Sequence, residues 1–129
     1  MAVPSNVLSG FQILVIDDNP TAREIFSLAL RHSGATVATA SSARAALDVL
    51  RRFTPDVILA DMRLPDEGAA WIVSEARKIG ITAAFIAVSG SNSGGDSLRA
   101  DGFHAYLHTP VDRGRLFDAI LSAACDAGA

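Results

Sequence analysis

The run Phe11-Gln12-Ile13-Leu14-Val15-Ile16 ends in the acidic pair Asp17-Asp18, and a second run, Asp56-Val57-Ile58-Leu59-Ala60, closes on Asp61. Continuous apolar runs of this length mark strands that are buried on both faces. Three carboxylates at the carboxyl ends of two such strands are costly unless something offsets them. Two like charges about 4 Å apart repel by roughly 4 kcal/mol at an effective dielectric of about 20. Acid gathered in this way points to a divalent cation, with a phosphoryl group above it.

The 129 residues suffice for one domain whose core covers both faces of a sheet. Half of them are hydrophobic and only 6% are aromatic, so that core is aliphatic. No apolar run approaches the roughly 20 residues of a membrane span. The opening Met1-Ala2-Val3-Pro4-Ser5-Asn6 lacks the basic and apolar regions of a signal peptide. Residues 1–10 are expected to form a flexible leader, 11–125 the domain and 126–129 a tail. The single cysteine, Cys125, has no partner for an internal disulfide, which suits the reducing cytoplasm where the chain is expected to work. It is expected to make a small apolar contact on the last helix. A net charge of −3 leaves no basic footprint for nucleic acid.

Strand-like runs alternate with helical patterns, the sign of a parallel sheet covered by helices. The spacing predicts strands near 11–17, 35–40, 56–61, 83–89 and 104–109. The first helix has Asn19 as N-cap, Pro20 at its first position and Gly34 beyond its end, with Ala22, Ile25, Phe26 and Ala29 turned to the sheet. Ser42 caps the second, whose stripe is Ala43, Ala46, Leu47 and Leu50. The third follows Gly68 with Ala69, Ile72, Val73, Ala76 and Ile79, and Gly80 closes it. The last carries Leu116, Phe117, Ile120, Leu121 and Ala124 inward. Between Ser91 and Asp101, two adjacent glycines weaken the fourth helix by about 1 kcal/mol each, leaving a short helix from about residue 95.

In an open α/β sheet, ligands bind at the carboxyl edge of the strands, at the topological switch point. With the order 2-1-3-4-5, the first and third strands are neighbours and Asp17, Asp18 and Asp61 meet there. Ser89 and Thr109, ending the fourth and fifth strands, share that rim.

Four strand-end motifs occur in order: Val15-Ile16-Asp17-Asp18-Asn19, Asp61-Met62-Arg63-Leu64-Pro65, Val88-Ser89-Gly90 and Tyr106-Leu107-His108-Thr109-Pro110. Together they resemble the receiver domain of bacterial response regulators, over residues 11–125. The resemblance implies a flavodoxin-like, doubly wound (βα)5 α/β fold with a five-stranded parallel sheet in the order 2-1-3-4-5. It implies a module of two-component or phosphorelay signal transduction in which Asp61 accepts a phosphoryl group. Asp18, Asp61 and the backbone carbonyl of Arg63 would ligate Mg2+, and Asp17 would act through a bound water. Ser89 takes the place of the switch hydroxyl and Tyr106 that of the switch aromatic. The implied partners are a histidine kinase or phosphotransfer protein and an unidentified downstream protein, with no nucleic acid and no membrane. A weak homodimer is admitted. No enzymatic activity is implied beyond Mg2+-dependent self-phosphorylation and self-dephosphorylation.

The residue types suit that chemistry in their own right. A carboxylate attacks phosphorus once a cation neutralises its repulsion with the phosphoryl oxygens. Mg2+ favours one or two carboxylates, waters and a phosphate, and positioning with charge neutralisation supplies most of the catalysis.

The family places a lysine where this chain has Thr109. Threonine donates one hydrogen bond and carries no charge, whereas phosphorylation adds about −1.5 to −2 charges. Three outcomes stay open. Mg2+ carries the load, with weaker coupling to the switch; another cation substitutes, Arg63 being closest in sequence and His108 turned away by strand alternation; or the domain binds partners as a phosphorylation-independent pseudo-receiver. The loop Pro65-Asp66-Glu67-Gly68 and the stretch between Ser89 and Tyr106 are also shorter than usual for the family.

A helix start explains one polar residue, not two extra acids ending an apolar strand; Asp61 could be a turn residue, but its Met-Arg-Leu-Pro continuation favours the phosphoacceptor reading. Asn19 needs no role beyond its cap. Ser89 could start a loop and Tyr106 could be an ordinary packed aromatic. His32, His104 and His108 lack metal-ligand spacing, and Trp71 reads as a packing or partner-contact residue. A haloacid-dehalogenase-type phosphatase needs a second aspartate where Arg63 stands, and a flavin site needs a phosphate-cradling loop after the first strand. Neither pattern is present.

Overall fold

The computed structural model describes residues 7–64, 68–89, 102–108 and 111–128. The elements run β1 (Gln12–Ile16), α1 (Pro20–His32), β2 (Thr36–Ala40), α2 (Ala43–Leu50), β3 (Val57–Asp61), α3 (Ala69–Lys78), β4 (Ala84–Ser89), β5 (Phe103–His108) and α4 (Arg113–Gly128). All strand pairs are parallel, and the sheet order is β2-β1-β3-β4-β5. This is the expected flavodoxin-like topology. The helix expected from about residue 95 and the loop 65–67 lie outside the described residues, as do Thr109 and the side chain of Cys125.

The unbroken apolar runs of β1, β3 and β4 follow from burial on both sides. Leu14, Ile16, Ile58, Ala60, Phe85 and Ala87 face one layer, where α2 and α3 contribute Ala46, Leu50, Ile72 and Ala76. Ile13, Val15, Val57, Leu59, Ile86 and Val88 face the other, against Leu30 of α1 and Leu116, Ile120 and Ala123 of α4. Successive residues of a strand alternate between the two layers, so each strand needs apolar residues at every position. Phe85 and Phe103 meet edge to face, with ring centroids 6.1 Å apart, joining β4 to β5.

The caps read from sequence are present. Asn19 accepts from the backbone of Thr21 at 2.9 Å and of Ala22 at 3.1 Å, and Ser42 accepts from Ala45 at 3.1 Å. Gly34, beyond the end of α1, has φ +100°, a conformation that costs glycine little.

Three expectations are corrected. Ile25 does not face the sheet: it is 61% exposed and Leu28 58%. The apolar residues of α1 span a wider arc than the sheet covers, and the helix turns Ser27 and Leu30 inward instead. The buried hydroxyl of Ser27 is satisfied by donating to the Arg23 carbonyl at 2.7 Å. Ile79, at the end of α3, is likewise exposed. The packed body also starts before residue 11. Leu8 is fully buried, and its N–H donates to the Ser33 carbonyl at 2.7 Å.

Candidate functional site

Pairing of β1 with β3 sets Ile16 opposite Ala60. The next residues, Asp17 and Asp61, therefore reach the carboxyl rim side by side, and Asp18 follows. Carboxylate oxygens of Asp17, Asp18 and Asp61 all lie within 4.8 Å of one another. Asp17 is buried, Asp61 half-buried and Asp18 exposed, so the cluster opens to solvent on one side.

Local structure fixes each acid. The Asp17 N–H continues the ladder, donating to the Ala40 carbonyl of β2 at 3.0 Å. Its carboxylate Oδ1 accepts the Asn19 N–H at 2.9 Å, and its carbonyl accepts Arg23 Nη1 at 2.8 Å. Asp61 Oδ1 accepts the Arg63 N–H at 3.0 Å, a turn that folds the chain back over the rim. Met62 donates to the Val88 carbonyl of β4 at 3.0 Å, which anchors that turn.

The Asp17 carboxyl is pushed above the ordinary aspartate value of 3.8, first by burial and then by the negative charges of Asp61 and Asp18 and a hydrogen bond with Asp61; the Asn19 N–H acts against the rise. Such a group accepts a proton readily when nothing else neutralises the cluster. The donors on offer are hard carboxylate oxygens with an open side for water. That set matches the preferences of Mg2+ and fits no thiolate- or imidazole-seeking metal.

Ser89 closes β4 and is buried, one residue beyond Val88, the register partner of Asp61. Tyr106 pairs with Ala87 in β5 and packs, half-buried, against the α2–α3 layer. His108 pairs with Ser89, and its Nδ1 lies 3.3 Å from the Ser89 carbonyl oxygen. The sheet thus brings Asp17, Asp18, Asp61 and Ser89 to one rim. Thr109 is among the predicted site residues and lies outside the described ones.

The sequence reading missed Arg23. An arginine six residues after an acid carries no signal of its own, because only the fold shows that its guanidinium turns back to a strand end. The reading also gave Asn19 one task, where its side chain caps α1 and its backbone N–H holds Asp17. Trp71, read as a packing or partner-contact residue, lies under the Arg44 guanidinium at 5.7 Å, which ties the first turn of α3 to that of α2.

The family model described as "Response regulator receiver domain" matches residues 13–121. The response regulator receiver protein Anae109_2439 of Anaeromyxobacter is 35% identical over 81% of this chain and 45% of its own length. The chain spans 26% of two longer relatives, the transcriptional regulatory proteins GlrR and QseF of Escherichia coli. Among solved structures, a receiver domain protein of Clostridium thermocellum is similar at 30% identity and TM-score 0.83, over 92% of this chain and 97% of that one. The receiver domain of the sensor histidine kinase PA1611 of Pseudomonas aeruginosa, solved with a magnesium ion coordinated in its active site cleft, is similar at 26% identity and TM-score 0.81, over 91% and 99%. Family match, strand order and an acid triad at the switch point agree, and the chain belongs to the response regulator receiver domain family, the signalling module of two-component systems.

Proposed function

We propose that the chain is a phosphoacceptor receiver in which Asp61 is phosphorylated, with Mg2+, by a histidine kinase or phosphotransfer protein. The observation that carries this reading is the convergence of Asp17, Asp18 and Asp61 within 4.8 Å on one solvent-open rim. Asp18, Asp61 and the Arg63 carbonyl would hold the ion, with Asp17 bound through water. When bound, Mg2+ neutralises the cluster and the incoming phosphoryl oxygens.

The residues of the chain do the rest. An oxygen of the Asp61 carboxylate attacks phosphorus, the phosphorus–nitrogen bond to the donor imidazole breaks, and the imidazole leaves with the electron pair. The product is an acyl phosphate on Asp61. The Arg63 N–H on Oδ1 holds the carboxylate in one orientation for that attack. Ser89 is the hydroxyl that hydrogen-bonds the new phosphoryl oxygen, and Tyr106 is the aromatic that moves with it. Thr109 offers one uncharged donor where the family has a lysine, so Mg2+ held by the acids would supply most of the neutralisation.

Output is by protein–protein contact, in the cytoplasm. Support for a partner surface comes from α1, which exposes Ile25 and Leu28 in a shallow groove also lined by Arg31, His32 and Arg113. Exposed apolar side chains grouped beside charged ones are a common mark of protein contact.

The reading is tested by mass spectrometry after incubation with acetyl phosphate, with and without Mg2+. A phosphoryl adduct that needs the metal and is lost in Asp61→Asn is expected. No adduct, together with no response to beryllofluoride, would leave the chain as a phosphorylation-independent interaction module.

A further inference from the structure

Along β1 the main-chain groups alternate between neighbours. Phe11 accepts from Thr36 and Asp17 donates to Ala40, so the odd-numbered residues turn to β2. A strand residue turns its N–H and C=O to the same side, and in a parallel ladder its carbonyl is met by a donor further along the neighbouring strand. For Asp17 that donor would be the N–H of Ser42. β2 ends at Ala40, however, and Ser42 has become the cap of α2. The carbonyl is met instead by Arg23 Nη1 at 2.8 Å, a charge-assisted and half-buried bond reaching back from α1.

The bonded carbonyl belongs to the peptide unit that joins Asp17 to Asp18. That unit is planar, so fixing its oxygen fixes the plane that also carries the Asp18 nitrogen and narrows the ways the two side chains can sit relative to each other. Asp17 is then held through its N–H by Ala40, through its carboxylate by Asn19 and through its carbonyl by Arg23. Of the three, only the Arg23 contact comes from a side chain, so only it can be deleted without altering the backbone.

We propose that Arg23 is a positioning residue for the metal site, setting the affinity of the acid cluster for Mg2+ by locking the Asp17–Asp18 peptide. This rests on the metal reading of that cluster. Partners that orient metal ligands from outside the coordination shell are worth about 10- to 100-fold in affinity. Charge alone predicts the opposite sign. A guanidinium near the acids repels an incoming cation, so its removal would tighten Mg2+ binding if charge were its whole contribution.

The test is Mg2+ titration of the full chain by calorimetry, with thermal melts in chelator alongside, for wild type, Arg23→Met, Arg23→Gln and Arg23→Lys. The expected result is Mg2+ affinity weakened about tenfold in Arg23→Met and largely recovered in Arg23→Lys, which keeps a donor. Should Arg23→Met not fold, Arg23→Gln carries the same expectation, because its amide donor sits on a stem too short to replace Nη1 at the Asp17 carbonyl. Affinity equal to or tighter than wild type, with only the melting temperature lowered, overturns the proposal. Wild type without Mg2+ affinity at millimolar concentration overturns instead the metal reading beneath it.

Discussion

Asp17 and Asp61 leave neighbouring strands side by side because Ile16 and Ala60 are register partners. Burial and that proximity raise the Asp17 carboxyl above its ordinary value of 3.8. The folded protein therefore holds a proton on Asp17 at pH values where the unfolded chain has released it. Stability falls wherever the folded state binds more protons than the unfolded one and the pH rises. Metal-free protein is expected to lose stability as pH increases from about 4 through the raised value, and added Mg2+ to abolish that loss. Denaturant melts across this range, with and without chelator, give the slope.

The same repulsion makes Asp17→Asn informative. Asparagine keeps an oxygen for the Asn19 N–H and removes one of three clustered charges. The metal-free variant is expected to be more stable than wild type by roughly 1 kcal/mol at neutral pH, a fraction of the like-charge repulsion because the cluster is open to water. Its Mg2+ affinity is expected to drop. A variant less stable than wild type in chelator would show that the three acids do not strain the metal-free fold.

Thr109→Lys introduces the cation that the resemblance to the family implies at that position. Asp61 is expected to be labelled in this variant as in wild type, because the proposed phosphoacceptor and the proposed metal ligands are untouched. What changes is the response after labelling. A lysine pairs with the added charge of about −1.5 to −2 and should enlarge the beryllofluoride-induced shifts at Ser89 and Tyr106. Spectra of wild type and variant with equal shifts would assign the switch to the metal and Ser89 alone.

Contact with a phosphodonor protein is expected to use α1. Ile25 and Leu28 are exposed, so Leu28→Glu should leave stability within about 0.5 kcal/mol. Transfer from a cognate phosphodonor protein should slow by about tenfold, the size of a single interface anchor. Labelling by acetyl phosphate, which needs no docking surface, is the internal control. Equal slowing with both donors would place the effect at Asp61 and not at the surface.

What the sequence made legible was periodic or local. β1, β3 and β4 announced themselves because strands buried on both faces cannot alternate polar residues. The acids that end β1 and β3 stood out because a buried apolar strand does not ask for them. Ile25 and Leu28 were a different case. Helical spacing says which residues share a face, but several apolar faces of α1 were available, and the sheet took only the one with Phe26, Ser27 and Leu30. Leu8 was hidden because its partner, the Ser33 carbonyl, is 25 residues away in sequence. Arg23 was hidden for the same reason in miniature: its bond depends on where β2 stops, which no property of residues 17–23 encodes.

Asn19 separates stability from metal binding. Its side chain caps α1 through Thr21 and Ala22, whereas its backbone N–H holds the Asp17 carboxylate. Asn19→Ala deletes the first and keeps the second. The expected cost is about 1 kcal/mol of stability, the usual worth of a side-chain N-cap. Mg2+ affinity should stay within about twofold of wild type, since every partner of Asp17 survives, in contrast to the larger losses that accompany removal of a ligand-orienting group. Paired melting and titration of Asn19→Ala and Arg23→Met should then move in opposite proportions, the first chiefly in melting and the second chiefly in affinity. A parallel loss of both in Asn19→Ala would mean that the start of α1, rather than the bonds to Asp17, governs the acid cluster.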